Sequence, residues 1–329
     1  MEKEIEVVNF EENAFSIIDN YGEDITAKTY ITNPAIAREA ELKRLVLTLL
    51  TPEKSAILVG KAGIGKTAIV EGLAYLIQRN EVPDALKGYR IIKFNSTSLV
   101  GKMMVNGKEE LIMAMLVQEL KKLSKTILFI DEIHTLIGGG ESESMDLANM
   151  LKSGLDRGEI KAIGATTTME YNTYVVRDRA FLRRFEKIEV LEPDEPTTVR
   201  ILMESLPKIE KQTGIKMKYN QYITEMLMKA IVSATSEYKR VYGLSAMYPD
   251  VSFSVLTGAF SEALFQNHSE VTILDVYNAI KNSKRIYPDS IIKELDLFRK
   301  NFQPICNEEG EGILPVVTLE EIKTEEEVF

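Results

Sequence analysis

The stretch Gly-Lys-Ala-Gly-Ile-Gly-Lys-Thr, at positions 60–67, constrains this 329-residue chain more than any other feature. It satisfies G-x-x-x-x-G-K-[ST], and its surroundings fit the pattern. The apolar run SAILVG (55–60) precedes it, and residues 66–79 place Ile69, Val70, Leu73, Leu76 and Ile77 on one stripe of a helix. A strand, a glycine turn and a helix in that order let backbone N–H groups curl inward, with the positive end of the helix behind them. That is a phosphate cradle. Its candidate contacts are Gly60, Ala62, Gly63, Ile64, Gly65, Lys66, Thr67 and Ala68. In such a cradle the lysine, Lys66, reaches the β- and γ-phosphates of ATP, and the hydroxyl of Thr67 ligates Mg²⁺.

Four more apolar runs accompany the first: YRIIKF (89–94), TILFID (126–131), IKAIGAT (160–166) and KIEVLEP (187–193). None alternates, so these strands are expected to be buried on both faces of a parallel sheet flanked by helices, an α/β P-loop NTPase fold. The third run ends in two acids. Asp131 is placed to hold Mg²⁺, and Glu132 to polarise the attacking water. His134 is one of two histidines, with no metal-ligand cluster in the sequence around it, and a packing role is preferred for it.

After Pro193 and Pro196 the pattern turns helical. The expected division is an N-terminal extension (1–25), a nucleotide-binding α/β domain (26–192), a small all-α lid (193–301) and an acidic flexible tail (302–329). A net charge of −10 argues against a general nucleic-acid binder, and no apolar run reaches the length of a transmembrane helix. The acidic start lacks the apolar core of a signal peptide, and Cys306 is the single cysteine, so a cytoplasmic location is expected.

The chain resembles the Clp-type AAA+ ATPases, specifically their first ATPase module, over roughly residues 16–260. The likeness rests on DNYGEDITAKTY (19–30), NPAIARE (33–39), the phosphate loop, NEVPDALKG (80–88), ILFIDEIHTLIGGG (127–140), SMDLANMLKSGLDRGEIKAIGATT (144–167) and FLRRFEKIEVLEP (181–193). The resemblance implies that Thr167, in preference to Thr166, is the first sensor of the γ-phosphate and the water. It implies that Arg183 and Arg184 are arginine fingers acting on a neighbour's ATP in a ring, by family habit a hexamer. It also implies an adenine pocket of Ala35, Ile36, Ile201 and Pro249. No second-sensor arginine is evident in the lid.

The sequence departs from the family in three places. A single module is present. The segment LVGKMMVNGKEEL (99–111) stands where the family's pore loop carries a tyrosine; Val105 falls near that position, and Met103, Met104 and Val105 are expected to form an apolar tip beside Lys102 and Lys108. The glycine-rich 136–144 occupies the second pore loop, and no protease-docking tripeptide is found, so a chambered protease is not an expected partner. The leading function is ATP hydrolysis by a ring that remodels or unfolds a protein partner. The alternatives are an ATP-controlled assembly scaffold that threads nothing and, behind it, a DNA-acting loader.

Overall fold

The apolar runs become the strands of one sheet. In the computed structural model, which describes residues 16–105, 108–137, 149–152, 154–155, 160–242 and 247–324, the chain divides into two units. The first holds the described residues up to 61 and 66–191, and the second 62–65 and 192 onward.

The first unit is built on a six-stranded sheet in the order β1-β3-β6-β7-β2-β8. Its strands are β1 (Gly22–Asp24), β2 (Ser55–Val59), β3 (Arg90–Asn95), β6 (Thr126–Asp131), β7 (Lys161–Thr166) and β8 (Phe185–Glu189). All neighbours are parallel except β1, which runs antiparallel to β3 along the edge. Every residue of β2 is buried, as a strand covered on both faces requires. The main helices of this unit are α1 (Glu39–Leu50), α2 (Lys66–Gln78) and α3 (Ile112–Lys122). Gly72 of α2 has a packing reason. A methyl there would lie 2.2 Å from Ala35 Cβ, so glycine lets the segment carrying Ala35 and Ile36 lie against the helix.

Besides the added antiparallel strand β1, two details of this unit differ from the expectation. The last strand lies two residues earlier than KIEVLEP suggests. Phe185 opens it, buried and stacked on Phe181 at 4.0 Å, and Leu191 has left the sheet and is 68% exposed. Residues 99–111 contain an antiparallel hairpin, β4 (Lys102–Val105) with β5 (Lys108–Leu111). Met103 is 5% exposed and packs into the core of the unit, so it is not part of an exposed apolar tip; Met104 and Val105 are half-buried. Residues 138–148, which include most of the expected second pore loop, lie outside the described residues.

The second unit is helical: α4 (Glu195–Thr213), α5 (Gln221–Ala234), α6 (Asp250–Phe265), α7 (Ile273–Lys281) and α8 (Pro288–Glu308), with a two-residue parallel pair, β9 (Lys216–Met217) and β10 (Glu270–Val271). Pro196 starts α4 rather than ending a strand. It sits in the first turn, where no N–H partner is needed, and Asp194 caps that turn through the N–H of Thr197.

The tail also differs from the expected flexible segment. Helix α8 runs through position 301 to Glu308 and buries Phe302 and Cys306. Beyond it, Glu311 accepts from Tyr219 Oη at 2.6 Å and from Lys218 Nζ at 2.7 Å, Leu314 is 2% exposed, and Tyr277 Oη donates to the carbonyl of Pro315. A further helix (Leu319–Thr324) buries Ile322. The segment is rich in glutamate, but Leu314 and Ile322 are spaced to reach the core. The last residues, 325–329, lie outside the described ones, as does the expected N-terminal extension up to residue 15. Leu314→Ala is expected to lower stability by about 2–5 kcal/mol, read as a drop in the urea midpoint of the second unit; a truly loose tail would show no change.

Candidate active site

The carboxyl ends of β2, β6 and β7 lie side by side, and each delivers part of the site. At the end of β2 the chain turns through Gly63 and Gly65, whose φ of +76° and +96° only glycine adopts at low cost. The turn is tied to the neighbouring strand where Gly60 N–H donates to the carbonyl of Thr166 at 3.3 Å. Lys66 opens α2, and its ammonium folds back onto the carbonyls of Gly60 and Lys61 at 2.8 and 2.9 Å. Burial pushes the pKa of Lys66 below its ordinary value, against the opposing pull of Asp131, Glu170 and Glu132. Thr67 donates its hydroxyl to Asp131 Oδ2 at 3.1 Å, and Lys93 Nζ lies 3.9 Å from the same oxygen. An alcohol and a carboxylate oxygen meeting beside the phosphate loop form a hard oxygen donor set, which suits Mg²⁺ completing its shell with water and phosphate.

Glu132 follows with φ +52°, a left-handed backbone that costs a side chain about 1–3 kcal/mol. Its carboxylate is exposed, and its N–H donates to Asp131 Oδ1 at 3.1 Å. Ile133 N–H then binds the carbonyl of Ala165 at 3.0 Å and fastens the turn to β7.

At the end of β7, Thr167 caps a short helical turn in a capping box with Glu170. Its hydroxyl is 2.7 Å from Glu170 Oε2, which also receives Thr167 N–H at 3.0 Å and the Thr166 hydroxyl at 3.2 Å. His134 Nδ1 lies 3.0 Å from Thr166 Oγ1 and 3.2 Å from Glu170 Oε2, with its ring stacked on Tyr174. The preferred packing role for His134 is therefore incomplete, because the ring also joins a polar network. Glu170 escaped the sequence reading, although Thr167-x-x-Glu170 is a capping-box signature that could have exposed it.

Arg183 and Arg184 do not join this group. They end the short helix Arg179–Arg184, capped by Asp178, and lead into β8, whose first residue, Phe185, pairs with Ser55 at the start of β2. The phosphate loop leaves the opposite end of β2, about 13 Å away at 3.3 Å per residue. Arg183 is exposed, and Arg184 donates to the carbonyl of Ala180 at 2.6 Å. Of the remaining expected residues, Ala35 and Ile36 are buried in the first unit, Ala35 against Gly72. Ile64, Ile201 and Pro249 fall in the second, where Ile64 and Ile201 are buried. Two cations in that unit were not singled out from sequence: Arg285 pairs with Asp250, and Arg240 with Glu192.

Residues 56–192 match the family described as "ATPase family associated with various cellular activities (AAA)". The chain is 37% identical over 278 residues to a probable ATP-dependent Clp protease ATP-binding subunit of Chlamydia pneumoniae, covering 82% of this chain and 31% of that protein. It is 36% identical over 276 residues to the chaperone protein ClpB of Wolinella succinogenes, covering 83% and 31%. Among solved structures it is similar to Hsp104 bound to ATPγS and FITC-casein (TM-score 0.68, 30% identity, 80% of this chain and 45% of that one). It is also similar to the Saccharomyces cerevisiae Hsp104–ADP complex (TM-score 0.64, 29% identity, 93% and 51%). The chain thus spans about a third of the length of these curated relatives.

The backbone at Glu132 carries its own test. Glu132→Gly removes the left-handed penalty, so the folded state is expected to be as stable as the parent or about 1 kcal/mol more stable, measured by urea unfolding. A loss of stability would show that the Glu132 side chain supports the fold.

Proposed function

With residues 56–192 a member of the AAA family of ATPases and the surrounding chain similar to Clp-type relatives, we propose that this protein hydrolyses ATP with Mg²⁺, assembles head-to-tail into a ring, and uses the cycle to remodel a protein partner. The observation that carries this reading is the separation of Arg183 and Arg184 from the phosphate loop of their own sheet. A guanidinium suits the charge that develops on a phosphoryl group in transfer, and distance from their own phosphate loop is what service to a neighbouring copy would require.

The chemistry follows from the convergence at the sheet edge. Lys66 gives up its bonds to Gly60 and Lys61 to meet phosphate oxygens. Thr67 and Asp131 are the Mg²⁺ ligands, and the bound ion would neutralise phosphate charge as a Lewis acid. Glu132, exposed at the end of β6, is the base that takes a proton from the attacking water. Thr167, one residue past β7, is the polar group that orients the same water. Ala35, Ile36, Ile201 and Pro249 are proposed to hold the adenine, and the helical residues 193–301 to act as the lid.

One observation favours a second reading, an ATP-controlled scaffold that binds its partner without threading it. The hairpin β4–β5 carries no aromatic residue, and its Met103 is committed to the core. Casein, the protein in one of the similar Hsp104 structures, separates the two. Stimulation of ATPase activity by casein supports threading, and ATP-dependent capture of one partner without such stimulation supports the scaffold.

Glu132→Gln is expected to bind ATP and lose turnover by about 10²-fold or more. Arg183→Ala/Arg184→Ala is expected to lose turnover with nucleotide affinity kept. Mixing the two proteins restores activity if the arginines act in trans, because a subunit with Glu132 intact can then receive arginines from the Glu132→Gln copy. A steady-state phosphate-release assay across mixing ratios reads this, and a flat baseline would refute action in trans.

A further inference from the structure

Glu170 lies outside every pattern that marks the nucleotide site, yet four groups of that site converge on its Oε2. They are the N–H and hydroxyl of Thr167, the hydroxyl of Thr166 and Nδ1 of His134. The protons can be assigned from the acceptors. A hydroxyl has one proton, and that of Thr167 faces a carboxylate oxygen at 2.7 Å, the strongest acceptor among its partners. A lone pair on His134 Nδ1 facing the same oxygen at 3.2 Å would be repelled, so Nδ1 carries the proton and is shared between Glu170 and Thr166 Oγ1. Burial raises the pKa of Glu170, but the bonds from Thr167, the nearby His134 and the bond from Thr166 outweigh it and leave the carboxyl below its ordinary value. Glu170 therefore remains an acceptor.

With its proton committed, Thr167 has only a lone pair to offer a reacting group. We infer that Glu170 is a positioning residue for ATP turnover: its carboxylate fixes the Thr167 proton so that the threonine meets the attacking water as an acceptor, and through His134 it ties that hydroxyl to the turn bearing Asp131 and Glu132. The inference rests on the hydrolytic reading above. A water has two O–H bonds. Glu132 accepts one and takes its proton, Thr167 accepts the other, and the lone pair of the oxygen is left to attack phosphorus. A donor at Thr167 would instead compete for the attacking lone pair. The turn is held in step with the sensor because Ile133 is bonded to Ala165 of the strand that leads into Thr166 and Thr167, and His134 reaches the same place with its side chain.

Glu170→Gln tests this, since an amide of the same shape can donate to Thr167 Oγ1 and turn the threonine's proton outward. The expected result is a kcat lowered roughly 10- to 100-fold, with KM for ATP and the Kd of a fluorescent non-hydrolysable ATP analogue within about twofold of the parent. Thr167→Val should lose a similar factor, and the double variant should lose no more than Thr167→Val alone, because both changes remove one function. A packing role would instead weaken nucleotide affinity, and its losses would multiply with those of Thr167→Val. An unchanged kcat in Glu170→Gln, or multiplying losses, overturns the inference. If Glu170→Gln does not fold, His134→Phe keeps a ring against Tyr174 while removing the Nδ1 proton. A lowered kcat at constant KM then supports the inference, and a parental kcat overturns it. Glu132→Gln in the same assay separates the two levels. A parent protein no faster than Glu132→Gln overturns hydrolysis and this inference together, whereas an active parent with a silent Glu170→Gln overturns this inference alone.

Discussion

Parallel pairing of β2, β7 and β6 is the constraint on which the site depends. Parallel strands end at the same edge, so whatever follows one of them in the chain is delivered beside whatever follows its neighbours. Val59 pairs with Thr166, and Ile130 pairs with Gly164. That register sets the phosphate loop, the acids Asp131 and Glu132, and the threonines Thr166 and Thr167 on one line. No loop has to reach far to bring them together. The Thr67–Asp131 and Gly60–Thr166 hydrogen bonds then lock segments that are widely separated in sequence.

The electrostatics of that line are unbalanced. Asp131, Glu132 and Glu170 all act on Lys66, a single ammonium half-withdrawn from water and held by two carbonyls of its own loop. Carboxylates beside a phosphate site would repel its ligand unless each had other work. Asp131 is taken by Thr67 and Lys93, and Glu170 by two threonines and a histidine. Glu132 is exposed at the site, on a backbone that favours glycine. The proposed water-activating role would give that strained glutamate a chemical use to set against its conformational cost.

What could be read from sequence was what periodicity and fixed spacing carry. The buried strands were legible because an unbroken apolar run suits a strand covered on both faces, and the phosphate loop because its glycines and lysine sit at set intervals between a strand and a helix. The bend at Glu132 was not legible, since the left-handed backbone follows from how the turn is fastened to β7 and not from the residue. The hairpin was half-hidden. Neither of its strands, KMMV and KEEL, shows clean alternation. The Glu-rich end was misread because composition averages over a segment, whereas two well-spaced residues, Leu314 and Ile322, suffice to dock it.

If Arg183 and Arg184 act in trans as proposed, their position at the far end of β2 from the phosphate loop has a geometric consequence for association. A subunit that receives at one edge of its sheet and gives at the other joins its neighbours by a heterologous contact. Any open chain of such subunits has a phosphate loop without arginines at one end and arginines without a phosphate loop at the other. Closure alone removes both ends. The rotation between adjacent copies, not the chemistry of the site, then fixes how many subunits close the circle, and a small change in that rotation would convert a ring into a spiral with every interior site still complete.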